Sequence, residues 1–131
     1  MNSVLTAVKL GLSAIIGFLG WFLGGFDTML ITLLIFIVID YISGVINAIY
    51  KKKLCSSIGF KGILRKVLII LLVGSVNLLG IAINMDSLRY MVIAFYLANE
   101  GISIIENAAK IGVPVPQKII DVLEQLREDD A

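Results

Sequence analysis

The stretch "RYMVIAFYLANEGISIIENAAK", from Arg89 to Lys110, has the length of a membrane-spanning helix but contains two glutamates, two asparagines and a serine. At about 100° per residue, its polar side chains fall on one half of the helix. The residues on this half are Arg89, Tyr96, Asn99, Glu100, Ser103, Glu106, Asn107 and Lys110. This polar stripe extends for about 31 Å, the thickness of a hydrocarbon layer. Because a charge at mid-bilayer costs about 2.5–3.5 kcal/mol, the stripe should not face lipid.

Three environments for the polar stripe are consistent with the sequence. It packs inside a four-helix monomer, bonded to Asp40, Ser43 and Asn47, or it forms a subunit interface, or it lines a water-filled path through an oligomer. The last two are compatible with each other. On the opposite half of the same helix lie Ala94, Ala98, Gly101, Ile105 and Ala108.

The composition of the whole chain indicates a membrane protein. Of 131 residues, 59% are hydrophobic and 16% charged, with a mean hydropathy of +0.99, and a soluble domain of this size could not bury so much apolar surface. The absence of histidine and the single Cys55 exclude histidine-based catalysis and an intrachain disulfide. No enzyme or cofactor motif is visible, and the net charge of +1 does not favour nucleic acid. We therefore expect neither an enzyme nor a cofactor or metal site.

Four apolar runs predict an all-α integral membrane protein, because each is long enough to cross a bilayer. The predicted spans are about 5–25, 28–50, 64–85 and 89–110. The first and third connections are short, so the four helices form two hairpins. Residues 111–131 are predicted to form a proline elbow, a short amphipathic helix at about 117–128 and an acidic tail. The amphipathic helix could lie on the membrane surface or pack on a partner helix.

The distribution of positive charge predicts the orientation of the chain in the membrane. Six basic residues and no acidic ones occur in the sixteen residues that include the second connection: Lys51, Lys52, Lys53, Lys61, Arg65 and Lys66. Cytoplasmic loops are enriched in lysine and arginine. We therefore predict a cytoplasmic loop at 51–63 whose basic residues, together with Arg65 and Lys66, anchor at the membrane surface, and we place both termini in the cytoplasm.

Two other spans carry small or polar residues on one face. In the second span these are Asp40, Ser43, Gly44 and Asn47. Asp40 is either a hydrogen-bonded packing residue near mid-membrane or part of a proton relay with Glu100. In the first span the residues are Ser13, Gly17, Gly20 and Gly24. Small residues let helix backbones approach closely, so this face packs either within the monomer or against a second copy.

Three stretches resemble a known family. They are "DYISG" at Asp40–Gly44, "SSIGFKGILRK" at Ser56–Lys66 and "NEGISIIENAAKIGVPVPQKI" at Asn99–Ile119. In this order they resemble the toxin-secretion/phage-lysis holin family, small bacteriophage-type holins that include the holin-like protein of clostridial toxin loci. The resemblance covers about 35–126, whereas the first span matches only in character.

The resemblance implies a function without catalysis or a cofactor. Holins accumulate in the bacterial cytoplasmic membrane and assemble into homo-oligomeric holes that release an endolysin or a toxin and lead to host cell lysis. The implied partners are the lipid bilayer, further copies of the chain and, indirectly, that cargo. The pore or oligomer-interface candidates are Asp40, Ser43, Gly44, Asn47, Asn99, Glu100, Ser103, Glu106 and Asn107. Two alternatives stay open: a small ion or proton channel or transporter, and a membrane adaptor that binds a partner through 117–128.

Overall fold

The computed structural model describes residues 2–53 and 55–129, which form five helices and no strand. The helices are α1 (Asn2–Leu23), α2 (Thr28–Tyr50), α3 (Ser56–Ala82), α4 (Ser87–Ala109) and α5 (Gln117–Asp129). The first four are long and apolar enough to cross a membrane. The predicted fold class, four spans and a short C-terminal helix, is therefore confirmed. Asp130 and Ala131, at the end of the predicted acidic tail, lie outside the described residues.

The predicted basic loop at 51–63 is too long. Helix α3 begins at Ser56, eight residues before the predicted start of the third span. The basic residues of this segment are good helix formers, so the helix continues beyond the apolar run that marked the span. Lys61, Arg65 and Lys66 therefore lie on α3 rather than in or directly beside a loop. The cytoplasmic side of this connection stays a prediction.

Helices α2, α3 and α4 form the centre of the bundle. The buried core contains Leu30, Leu33 and Ile37 of α2, with Ile69 and Val73 of α3 and Ile93 of α4. Helix α1 packs mainly on α3, where Gly74 has no side chain and so admits the ring of Phe22. From Asn2 to Phe18, every residue of α1 is exposed. The N-terminal three-quarters of α1 therefore faces the surroundings of the bundle.

Helix α5 folds back onto α4. A turn at 110–116 reverses the chain, and the Leu123 side chain then reaches Gly101, where a Cβ atom would lie 3.1 Å from it. Ala98 and Ile102, on the same side of α4, are buried. The predicted amphipathic helix thus exists, one residue longer than expected, and packs on the small-residue half of α4.

Gly24 and Gly25 offer a matched pair of substitutions in the turn between α1 and α2. Both have positive φ, +86° and +103°, but a Cβ on Gly24 would collide with Arg89 and Asn77, whereas a Cβ on Gly25 meets open space. We expect Gly25→Ala to cost about 1–2 kcal/mol for its left-handed backbone and Gly24→Ala to cost more. Unfolding titrations in detergent micelles measure both, and equal midpoints would contradict the predicted collision.

Candidate functional site

Three charged side chains meet inside the bundle, one from each central helix. The Lys66 ammonium donates hydrogen bonds to Asp40 Oδ2 and to Glu100 Oε2, the latter at 2.5 Å. Asp40 is ten residues from the end of α2, Lys66 ten from the start of α3 and Glu100 nine from the end of α4. At about 1.5 Å per residue, all three lie at a similar depth. We call Asp40, Lys66 and Glu100 the triad.

The charged groups of the triad are paired with one another within a single chain. Glu100 is 4% exposed and Asp40 is 8% exposed, so neither carboxylate is solvated by bulk water. Buried charges are tolerated when they are paired and hydrogen-bonded, and Lys66 serves both carboxylates. One lysine ammonium thus faces two carboxylates inside the chain.

A second polar contact extends the triad along α2 and α4. Asn107 Nδ2 donates to Ser43 Oγ at 2.9 Å and to Asp40 Oδ1 at 3.2 Å, and Ser43 Oγ donates to the Asp40 carbonyl at 3.0 Å. Gly44 lies beside the Asn107 amide. The buried Asn47 Oδ1 has no hydrogen-bond partner among the described residues. The two predicted polar faces of α2 and α4 therefore meet inside one chain.

The structure divides the remaining predicted site residues into different environments. Asn99 and Ser103 are half-buried, and Glu106 is exposed. Lys51, Lys52, Lys53, Lys61 and Arg65 are exposed, as expected for a membrane-surface cluster. The assignment of Lys66 to that cluster is wrong, because its ammonium binds the triad carboxylates. A signal was available: Gly59, Gly62, Lys66, Ile69 and Val73 recur at helical spacing on one face.

Two cavities border the triad. One, of about 230 Å³, lies between α2, α3 and α4 on the side of the α2–α3 connection, and its walls include Gly44, Gly59 and Gly62. The other, of about 400 Å³, lies between α3 and α4, and its walls include Arg65 and Asn99. The residues that line both cavities are Asp40, Arg65, Lys66 and Ser103. The triad is therefore enclosed by side chains but has space on two sides.

Arg89 forms a polar centre at the opposite end of the bundle. Its guanidinium is bonded to the Leu23 carbonyl at 2.7 Å, the Gly25 carbonyl at 2.8 Å and Asp27 Oδ2 at 2.6 Å. Arg89 is 6% exposed. Its hydrogen bond holds the pKa of Asp27 below the ordinary 3.8. The Asp27 carboxylate also caps α2 by accepting from Leu30 N at 3.0 Å.

Asn77 completes this polar centre, since its side-chain amide donates to the Phe22 carbonyl at 2.9 Å. Together, Arg89 and Asn77 satisfy backbone carbonyls at the end of α1, which have no partner within the helix. The sequence places Arg89 in the polar stripe but does not reveal these contacts. The α1–α2 turn is therefore fixed by side chains of α3 and α4.

The small-residue face of α1 does not form a helix interface within the chain. Ser13 and Gly17 are exposed, and a Cβ on Gly17 would meet no described atom within 4 Å. Gly20 lies beside Phe26, and Gly24 lies in the turn after α1 rather than in the helix. Packing of this face within the monomer is thus wrong for Ser13 and Gly17. Its contact with a second copy stays a prediction.

The described residues contain no group of three or more histidine, cysteine, aspartate or glutamate side chains that could hold a metal ion. The triad brings together only two carboxylates, and a lysine ammonium occupies the position between them. A cation placed there would have to displace Lys66. The geometry therefore favours an internal ion pair over a bound metal ion.

The chain is similar to known bacterial and phage proteins. Residues 17–128 match the model of the bacteriophage holin family. An "Uncharacterized 14.9 kDa protein in nagH 3'region" of Clostridium perfringens is 40% identical, over 96% of this chain and 97% of its own length. An uncharacterized protein of Listeria monocytogenes is 39% identical, over 94% and 86%. A "Probable holin" of Bacillus phage phi105 is 38% identical, over 75% and 73%. No solved structure matches significantly.

Proposed function

Because the chain belongs to the bacteriophage holin family, we propose that it oligomerises in the bacterial cytoplasmic membrane and forms holes through which an endolysin or a toxin leaves the cell. The observation that carries this proposal is the triad. Lys66 is paired with both intramembrane carboxylates inside one chain, so that these groups do not face lipid. Such a chain can accumulate in a bilayer without opening a path, as a delayed hole-forming protein requires.

Helix α1 is the surface that we assign to assembly. Its residues from Asn2 to Phe18 are exposed, and Ser13 and Gly17 present small side chains on one face. Close helix approach at such residues is a usual basis of helix association in membranes. The exposed basic residues at 51–53, with Lys61, suit anionic head groups at the cytoplasmic surface. This orientation places both termini in the cytoplasm.

A channel or transporter is the second candidate, and the two cavities beside the triad favour it. An ion or proton path would use Asp40 and Glu100 as its polar groups. It would give a reversible current that depends on ion or proton gradients, whereas a hole of the proposed kind is unselective. The adaptor candidate is less favoured, because the Leu123 side of α5 already contacts α4.

Inducible expression in a bacterium tests the proposed function. Membrane potential is followed with a dye, and release of a co-expressed cytoplasmic muralytic enzyme is followed by its activity in the medium. We expect a delay after induction, then abrupt depolarisation with enzyme release. Normal growth and an intact potential in cells whose membranes contain the protein would reject it. Depolarisation without enzyme release would support the channel.

A further inference from the structure

The docked position of α5 places charged side chains beside a membrane-spanning helix. Leu123 contacts Gly101, which lies eight residues before the end of α4, or about 12 Å along the helix axis. The turn at 110–116 is short, so α5 must run back alongside α4. A hydrocarbon layer of about 30 Å spans most of α4. The middle of α5 is therefore within the depth of the bilayer.

The two flanks of α5 differ in polarity. Ile120 and Leu123 are half-buried and define the side that faces α4. One exposed flank is apolar and consists of Ile119, Val122 and Leu126. The other exposed flank is polar and consists of Gln117, Lys118, Asp121, Glu124 and Gln125. An aspartate and a glutamate at this depth cannot face lipid, since they are too short to reach the head groups.

The polar flank of α5 lies on the same side of the molecule as other unenclosed polar groups. Since α5 is antiparallel to α4 and packs through Ile120 and Leu123, helical geometry directs its polar flank toward the side of α4 that carries Asn99 and Glu106. Arg65 and Asn99 line the cavity between α3 and α4. Glu106 follows Asn99 by seven residues, two turns along the same face. The apolar flank points toward α2.

We propose that this polar side, made of Arg65, Asn99, Glu106 and the flank of α5 with Asp121 and Glu124, is the water-facing wall of the hole. The inference rests on the proposed function and names the surface that performs it. The proposal also separates the predicted pore residues into a water-facing group and a group that packs inside the bundle. Asn99 and Glu106 face water, whereas Asp40, Ser43 and Asn107 hold the bundle together behind them. The apolar flank of α5 marks the edge at which lipid begins.

Single-cysteine labelling tests this assignment, because the chain has only Cys55. In a Cys55→Ser background, Asn99→Cys and Glu124→Cys probe the polar side. Ile35→Cys is the matched control, since Ile35 is 51% exposed and is next to Phe36, whose ring lies beside Gly101, so that it is at a similar depth. A charged, membrane-impermeant maleimide is added to membranes isolated after induction. Maleimides react with thiolates, which form in water and not in lipid.

We expect Asn99→Cys and Glu124→Cys to react at least about tenfold faster than Ile35→Cys. Rates as slow as that of the control would overturn the assignment. Depolarisation is recorded separately with the unaltered protein and with the Cys55→Ser background, in which the proposed wall is intact. Slow labelling with depolarisation would reject only this wall, whereas fast labelling without depolarisation would reject the hole and keep a water-exposed side.

A second variant tests whether α5 stays docked in the membrane. In the same background, the pair Gly101→Cys and Leu123→Cys should form an intramolecular cross-link under mild oxidation, since the two positions are in contact. Gly101→Cys with Gln125→Cys, on the exposed side of α5, is the matched control and should not cross-link. If Glu124→Cys is labelled fast but the Gly101–Leu123 cross-link does not form, α5 leaves the bundle in the membrane. The wall would then not include α5.

Discussion

Replacing Lys66 with methionine is expected to destabilise the protein by about 3–5 kcal/mol, the cost of removing one partner from a buried ion pair. Methionine preserves most of the volume of lysine but leaves Asp40 and Glu100 facing each other without a cation. Both carboxylates are buried, so bulk water replaces the lost hydrogen bonds only in part. The free energy of unfolding of the purified protein, titrated in mixed micelles and followed by circular dichroism, measures the effect.

Two variants control for the loss of a lysine as such. Lys61→Met removes an exposed lysine of the same helix, and we expect a change within about 0.5 kcal/mol. The triple variant Asp40→Asn, Lys66→Met and Glu100→Gln removes all three charges and should recover most of the lost stability, because no unpaired charge is left. If Lys66→Met costs no more than Lys61→Met, the triad does not stabilise the bundle.

The four spans could be predicted because their apolar runs are long and their two hairpin connections short. The polar stripe of α4 marked Glu100 and Asn107 as polar groups inside the membrane, and contact with the Asp40 face of α2 was one of three environments left open for them. In the structure Asn107 is bonded to Asp40 and Ser43, whereas Glu100 is bonded to Lys66 of α3. What the sequence left open was the direction in which the stripe points. The structure turns Glu100 and Asn107 into the bundle, whereas Glu106 on the same stripe is exposed.

Lys66 shows why charge counting failed at one position. Six basic residues within sixteen consecutive positions predict a segment at the membrane surface, and five of the six are exposed. The sixth is turned inward because α3 begins at Ser56, which places Lys66 ten residues inside the helix. Counting charges treats all basic residues alike. Their positions around the helix differ, however, and Lys66 lies on the side that faces the bundle. A pattern of inward-facing positions around Lys66, read together with the acidic faces of α2 and α4, would have placed it correctly.

Arg89 and α5 illustrate contacts that sequence patterns do not encode. Two of the Arg89 acceptors are backbone carbonyls at Leu23 and Gly25, which every residue possesses, so no residue type signals them. Similarly, the spacing in α5 predicts an amphipathic helix but does not say which surface covers its apolar side. Gly101 accommodates Leu123 because it lacks a side chain, and that fit depends on the path of the chain through the turn at 110–116.

Replacing Arg89 with alanine is expected to cost about 3–5 kcal/mol, because it leaves the buried Leu23 carbonyl, the half-buried Gly25 carbonyl and a carboxylate without their donor. Asp27 is 39% exposed, so water hydrates it in part and the carbonyls account for much of the loss. Since α1 is otherwise attached mainly through α3, its end should loosen first. The fluorescence of Trp21, two residues before Leu23, reports this step and should change before the circular dichroism signal.

Two comparisons separate the Arg89 contacts from a general effect of losing an arginine. Arg65→Ala removes an exposed guanidinium and should change the free energy of unfolding by about 0.5 kcal/mol or less. Arg89→Lys should recover only part of the loss, because an ammonium cannot reproduce the planar fork that reaches Leu23, Gly25 and Asp27 at once. Equal stability of Arg89→Lys and the unaltered protein would mean that charge alone holds the α1–α2 turn. Coincident fluorescence and circular dichroism transitions in Arg89→Ala would mean that α1 unfolds with the bundle, and that Arg89 is not its separate attachment.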